Sequence, residues 1–177
     1  MGIKSLHADV LYFLLFVICG IGLSGCGYSW KEVDRMLEKS PRIDPDYSGV
    51  VLPLNIAPPN FVIKEDGDRF QAAFGYEGKV AFVCGGSNPE IIIPEAEWKK
   101  LMEQAVGKEI FIRIAVRQNG IWTGFTEIKD TVSSDPIDPY LVYRLLYPGY
   151  ELWNEMGIYQ RDLTLSLIHI SEPTRPY

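Results

Sequence analysis

An antiparallel β-sandwich of immunoglobulin or fibronectin type, with one inserted helix, is the fold that residues 60–164 predict. Apolar and polar residues alternate in several short runs, the pattern of strands that turn one face to a core. Between those runs lie Glu77-Gly78 and Asn119-Gly120, dipeptides suited to the tight turns that join antiparallel neighbours. Only residues 95–105 keep a clear helical spacing instead, and a mainly β pattern with one helix favours two packed layers around one core.

In chain order, Ser29-Trp30-Lys31-Glu32 has the form of a capping box, with Val33, Met36 and Leu37 on one face after it, and predicts a short helix over residues 27–40. It should end before Pro41, since a residue preceding proline is pushed out of helical geometry. Prolines at 41, 45, 53, 58 and 59 then predict an extended tether, because each withholds a ladder donor. From Asn60 the period becomes two. Phe61 and Ile63, then Phe70, Ala72, Phe74 and Tyr76, share a face, and after Glu77-Gly78 the return strand offers Val80, Phe82 and Cys84.

Gly85-Gly86-Ser87-Asn88-Pro89 reads as a loop and Ile91-Ile92-Ile93 as a short strand. Pro94 opens a helix, where its missing donor costs nothing, with Trp98, Leu101, Met102 and Ala105 as its apolar stripe and Gly107 placed to end it. Ile110, Ile112, Ile114 and Val116 alternate along the next strand. Asn119-Gly120 turns it back into residues 121–128, which hold Trp122 and Phe125.

Both ends of the chain read as something other than this domain. Residues 1–25 have the build of a lipoprotein signal peptide, with Lys4 before an apolar core at residues 10–21 that is too short for a spanning helix of roughly 20 residues. Leu23, Ser24 and Gly25 would be read by the signal peptidase, small side chains fitting an extended backbone at the scissile bond. Cys26 would then carry the lipid, whose two chains bury enough methylenes for stable anchoring at about 0.8 kcal/mol each. At the other end, residues 165–175 read LSLIHISEPTR, which resembles a translation of a transposon-based sequencing adapter. Residues 165–177 are therefore expected to add nothing to the fold, and the natural protein to continue past Thr164. The layout expected is signal peptide 1–25, helix and tether 26–59, sandwich 60–164, adapter 165–177.

Each end carries one basic and one acidic residue, so residues 26–164 keep the chain's net charge of −6. An acidic, unclustered balance argues against nucleic acid, which demands a basic patch. His7 and His169 fall in the two ends, leaving the domain without histidine; Cys19 leaves with the signal and Cys26 goes to lipid, leaving Cys84 alone. No Ser-His-Asp or Cys-His relay can be built from this set, no intramolecular disulfide is expected, and neither a metal nor catalysis is. Carboxylate chemistry is the one route open, through Glu95 and Glu97 or Asp135 and Asp138. The first pair suits a helix's first turn and the second brackets Pro136 in a turn, so structural roles are expected for both. Packing is likewise the reading for Cys84, a thiol on an apolar face.

Residues 135–163, DPIDPYLVYRLLYPGYELWNEMGIYQRDL, form an aromatic-rich block. With Ile43-Asp44-Pro45-Asp46-Tyr47, Ile56-Ala57-Pro58-Pro59-Asn60-Phe61 and Trp98-Lys99, it resembles the N-terminal region of the TolB-like β-propeller lipoproteins of Gram-negative envelopes. In that family a Cys-x-x-Cys-His haem-attachment-like motif and a propeller follow, and some members are labelled cytochrome c biogenesis proteins. The resemblance implies that covalent haem belongs to a downstream part, that no cofactor is held here, and that no functional residue of the family transfers to these positions.

Tyr140, Tyr143, Tyr147, Tyr150 and Trp153 are the candidate face, either for docking that propeller or for stacking on sugar rings. Two functions follow. One is a non-catalytic interaction or scaffold module, attached to the membrane through Cys26 at the outer membrane facing the periplasm, with other envelope proteins or its own propeller as partner. The alternative is a glycan-binding surface lipoprotein of a carbohydrate-uptake system.

Overall fold

The computed structural model describes residues 28–145 and 157–165. They form a mainly β fold in which a large mixed sheet packs against a second layer made of a small sheet and one helix. The large sheet holds β5 (Arg69–Tyr76) at its centre, with β6 (Lys79–Gly86) on one side and β8 (Glu109–Gln118) on the other. Beyond β8 lie β9 (Ile121–Gly124) and β10 (Ile128–Val132), both antiparallel to it. Outermost, β1 (Arg35–Met36) runs parallel to β9 and β3 (Val51–Leu52) parallel to β10. The small sheet has the order β2 (Ile43–Asp44), β4 (Phe61–Ile63), β7 (Glu90–Ile91). The helix, α1, spans Glu95–Gln104.

The two turns form as the sequence predicts. Glu77 and Gly78, and Asn119 and Gly120, all take positive φ, the geometry that a two-residue hairpin turn requires for its twist to match the strands. Residues 121–128 do return along β8, through a bulge. Gly124 opposes Ala115 while Ile128 opposes Ile112, so one residue among Phe125, Thr126 and Glu127 is extra and divides the return strand into β9 and β10. A second bulge sits in the β5–β6 pair, where Phe74 opposes Phe82 but Gly75 opposes Val80. That shift corrects the alternation read along residues 80–84: Phe82 and Cys84 stay on the core side, and Val80 is turned out and exposed.

Phe74 is the centre of the core. Its ring stacks on Phe82 at 4.8 Å between centroids, meets Trp98 of α1 edge-on at 6.5 Å, and lies 6.5 Å from Phe61 of the small sheet. Burying these rings with Ile112, Ile114, Leu101 and Met102 closes the two layers, each aliphatic side chain contributing roughly 1.5–3 kcal/mol. Trp98 satisfies its buried indole N–H by donating to the Ile56 carbonyl at 3.0 Å. Gly107 takes φ +70° two residues beyond the helix cap Ala105, and its turn delivers the chain to β8.

Two expectations for the N-terminal part are overturned. Residues 28–40 form no helix; they lie as a strap across the outer face of the large sheet. The backbone of Lys31 is gripped by the fully buried amide of Gln71, which donates to its carbonyl and accepts from its N–H, both at 2.9 Å. Asp34 donates its N–H to the Trp122 carbonyl at 3.0 Å, and Val33 and Met36 pack over Gly124, where a Cβ would collide with them. Sheet pairing of this kind replaces the intrahelical bonds that the capping box would have started. Residues 41–59, read as a tether, are part of the body. Ile43 and Leu52 are buried, Tyr47, Val50, Leu54 and Ile56 pack against the core, and the prolines all fall outside the two-residue strands β2 and β3.

Candidate functional site

A two-stranded ribbon, β11 (Tyr140–Leu145) paired antiparallel with β12 (Gly157–Asp162), follows the sandwich. It is pinned at its base. Asn55 and Ile137 exchange two hydrogen bonds of 2.9 Å, side-chain amide to backbone, and Leu163 links both sides by donating to Pro139 and accepting from Ala57, each at 2.8 Å. Asp138 accepts the Tyr140 N–H at 2.9 Å and shapes the entry, while Asp162 accepts from the Thr164 hydroxyl and N–H, bonds that hold its carboxyl below the usual range.

Beyond that base the ribbon has little cover. Leu141 is 48% exposed and Val142 61%, with Tyr140 and Tyr143 also open to solvent. Successive side chains of a strand alternate, so Tyr140 and Val142 share one face and Leu141 and Tyr143 the other. Tyr143 stacks on Tyr159 across the pair at 5.7 Å. Of the five aromatic residues singled out in the sequence, Tyr140 and Tyr143 are therefore placed on opposite faces of one ribbon; Tyr147, Tyr150 and Trp153 lie outside the described residues, as do Leu23, Ser24, Gly25, Cys26 and residues 166–177.

Below the ribbon's base a cleft of about 370 Å³ is lined by Leu54, Ile56, Pro58, Trp98, Lys99 and Leu165 among others. A wider groove of about 720 Å³ runs along β6, between the strap residues Tyr28 and Trp30 and the side chains of Val80, Phe82 and Ile92, and reaches Pro94 and Glu97 at the start of α1. Neither groove was read from the sequence as a site, although several of its lining residues were read there as strand or helix positions. The strap brings Trp30 to β6 across more than 45 residues of chain, a contact no local pattern signals.

The two carboxylate pairs read from the sequence lie at the start of α1 and in the stretch between β10 and β11. Glu95 and Glu97 sit in the first turn of α1, where acids complement the helix dipole. Glu65 ties the end of the strap to the small sheet: burial opposes its charge, but hydrogen bonds from Arg42 and Lys39 outweigh that and hold its carboxyl below the usual range. Asp130 is different. It is buried on β10, accepts the Val50 N–H at 3.0 Å through Oδ1, has no partner for Oδ2, and burial pushes its carboxyl up. Cys84 is buried, and burial pushes its thiol up to about 11, far from the range of a reactive thiolate. Among the described residues no group of three or more His, Cys, Asp or Glu is placed to hold a metal ion, and no helix is long and apolar enough to cross a membrane.

Searches of protein-family models, of curated proteins and of solved structures gave no match to this chain.

Proposed function

We propose that this chain is a cell-envelope lipoprotein whose sandwich is a non-catalytic interaction module, held to the outer membrane through acylated Cys26 and facing the periplasm. The observation that carries the reading is the β11–β12 ribbon, an apolar, aromatic-bearing pair mounted by its base on a packed domain. A lone two-stranded ribbon is marginal in water, and exposing Leu141, Val142 and two tyrosines serves a partner better than it serves the fold. The partner is another envelope protein or a propeller domain downstream, as the resemblance of residues 135–163 to TolB-like lipoproteins suggests; covalent haem, if the protein has it, belongs to that part.

Glycan binding is the second reading, favoured by the open rings of Tyr140 and Tyr143. Oligosaccharide titration separates the two: a glycan-binding protein quenches the fluorescence of Trp122 or Trp153 saturably, and a scaffold gives no response. For the first reading, Cys26→Ala abolishes incorporation of labelled fatty acid in a Gram-negative host, and a photo-crosslinking residue at Val142 yields a discrete protein adduct. Unchanged labelling, or adducts no different from those at the exposed sandwich residue Val51, sinks it.

A further inference from the structure

The groove along β6 has three properties that belong together. It contains the open edge of the large sheet, because β6 pairs only with β5 among the described residues, leaving its other ladder groups without a strand partner. Exposed apolar side chains stand beside that edge, Val80 at 44% and Ile92 at 58%, and half-buried Tyr28 and Trp30 complete the wall. A bare, apolar edge is a hazard in water unless something covers it.

Its place in the chain identifies the cover. Tyr28 is fixed on the sheet, its ring packed so closely over Gly85 that an added Cβ there would lie 2.8 Å from it. Cys26 precedes it by two residues, and two residues span at most about 7 Å. An acyl group on Cys26 therefore enters the bilayer within about that distance of the groove. The opposite edge of the sheet at β3 does not share this constraint, lying four strand spacings or roughly 19 Å away.

We propose that this groove is the membrane-seated face of the protein, with Tyr28, Trp30, Val80 and Ile92 lying in the interfacial layer of the bilayer; the inference rests on the reading of Cys26 as acylated. The chemistry fits that depth. Tyr and Trp are favoured at the membrane–water interface, where one end of the ring is apolar and the other wet. The open N–H and C=O groups of β6 are hydrated among headgroups, whereas hydrocarbon would leave them unpaired. Glu97, part of the lining, limits the depth, and exposed Lys79, next to Val80, has a stem long enough to bring its ammonium to water or lipid phosphate. Seated so, the chain needs no spanning helix, and the membrane covers the edge that would otherwise pair with a second copy.

The test uses the full chain expressed in a Gram-negative host, purified and reconstituted into phosphatidylethanolamine and phosphatidylglycerol vesicles containing headgroup-spin-labelled lipid. An environment-sensitive fluorophore is placed at Ile92→Cys, at Val80→Cys or, as the distant reference, at Val51→Cys; Cys84, which lines the same groove, is replaced by Ala in all three. Fatty-acid incorporation is measured on the same preparations. Acylated protein should show labels at 80 and 92 quenched severalfold more than at 51. Acylation with equal quenching at the three positions overturns the proposed seating and leaves the anchor standing. Absence of acylation overturns both. Agreement between positions 80 and 92 guards against a local effect of either substitution.

Discussion

The β8–β9 hairpin and the β11–β12 ribbon are both antiparallel pairs, but β8 is covered on both faces and the ribbon on neither. Along β8, Ile110, Ile112 and Ile114 point into the core while Phe111 and Ala115 are buried on the opposite face, Phe111 under the guanidinium of Arg113 at 4.4 Å. Along β11, four successive side chains at Tyr140, Leu141, Val142 and Tyr143 are open to solvent. The pairing rules are the same in both. What differs is the layer behind the strands, so hydrophobicity in the first region stabilises the fold and in the second is left over for contact with something else.

Three variants press on that contrast, beginning inside the core. Phe74→Ala removes the ring that joins β6, α1 and the small sheet, and should cost about 3–5 kcal/mol in denaturant unfolding, a large share of the roughly 5–15 kcal/mol that holds a domain together. A loss below about 1 kcal/mol would mean that the two layers do not share this core.

Asp130→Asn has a smaller effect with a defined sign. Because burial raises its carboxyl in the native state, the folded protein binds a proton more readily than the unfolded chain does. Stability from this group is then highest at low pH and falls as pH rises from the ordinary value near 3.8 through the raised native one. The amide keeps an acceptor for Val50 without the charge, so the variant should gain on the wild type as pH rises through that window. Thermal midpoints measured across it are the check, and a constant difference would remove the buried carboxylate as the cause.

The least disturbing change is in the ribbon. Leu141→Asn with Val142→Asn should alter sandwich stability by less than about 0.5 kcal/mol, as exposed substitutions do, while abolishing any adduct formed from a photo-crosslinking residue at Tyr140. If the midpoint falls as steeply as in the core variant, the ribbon belongs to the fold and the contrast disappears.

Where structure is decided by neighbours in sequence, it could be read in advance. Asn119-Gly120, Glu77-Gly78 and the Pro94 helix start are such places, and all formed. The strap could not be read that way, since Ser29 to Glu32 do look like a capping box and lose only because Gln71, 40 residues on, offers Lys31 two hydrogen bonds. Gly124 supplies the other half of that outcome, its missing Cβ admitting Val33 and Met36. Bulges escaped for a related reason: one extra residue near Thr126 depends on the register of a partner strand, which composition does not reveal. Tyr140 and Tyr143, three residues apart, would share a face on a helix and are separated by the strand they form, so the candidate face was legible as a stretch and not as a geometry.

The bulge that splits β9 from β10 also fixes an order of assembly. Each half offers its outer edge to a short parallel strand from the start of the chain, Arg35 beside Thr123 and Val51 beside Thr131. Two-residue strands have no stability of their own, and parallel pairs this distant in sequence carry a large loop-closure cost until their template exists. That cost favours an order in which the hairpins of β5, β6, β8, β9 and β10 form first and the N-terminal segments dock onto them last. During synthesis residues 35–36 and 51–52 therefore wait for their partner strands until residues 123–124 and 131–132 have emerged.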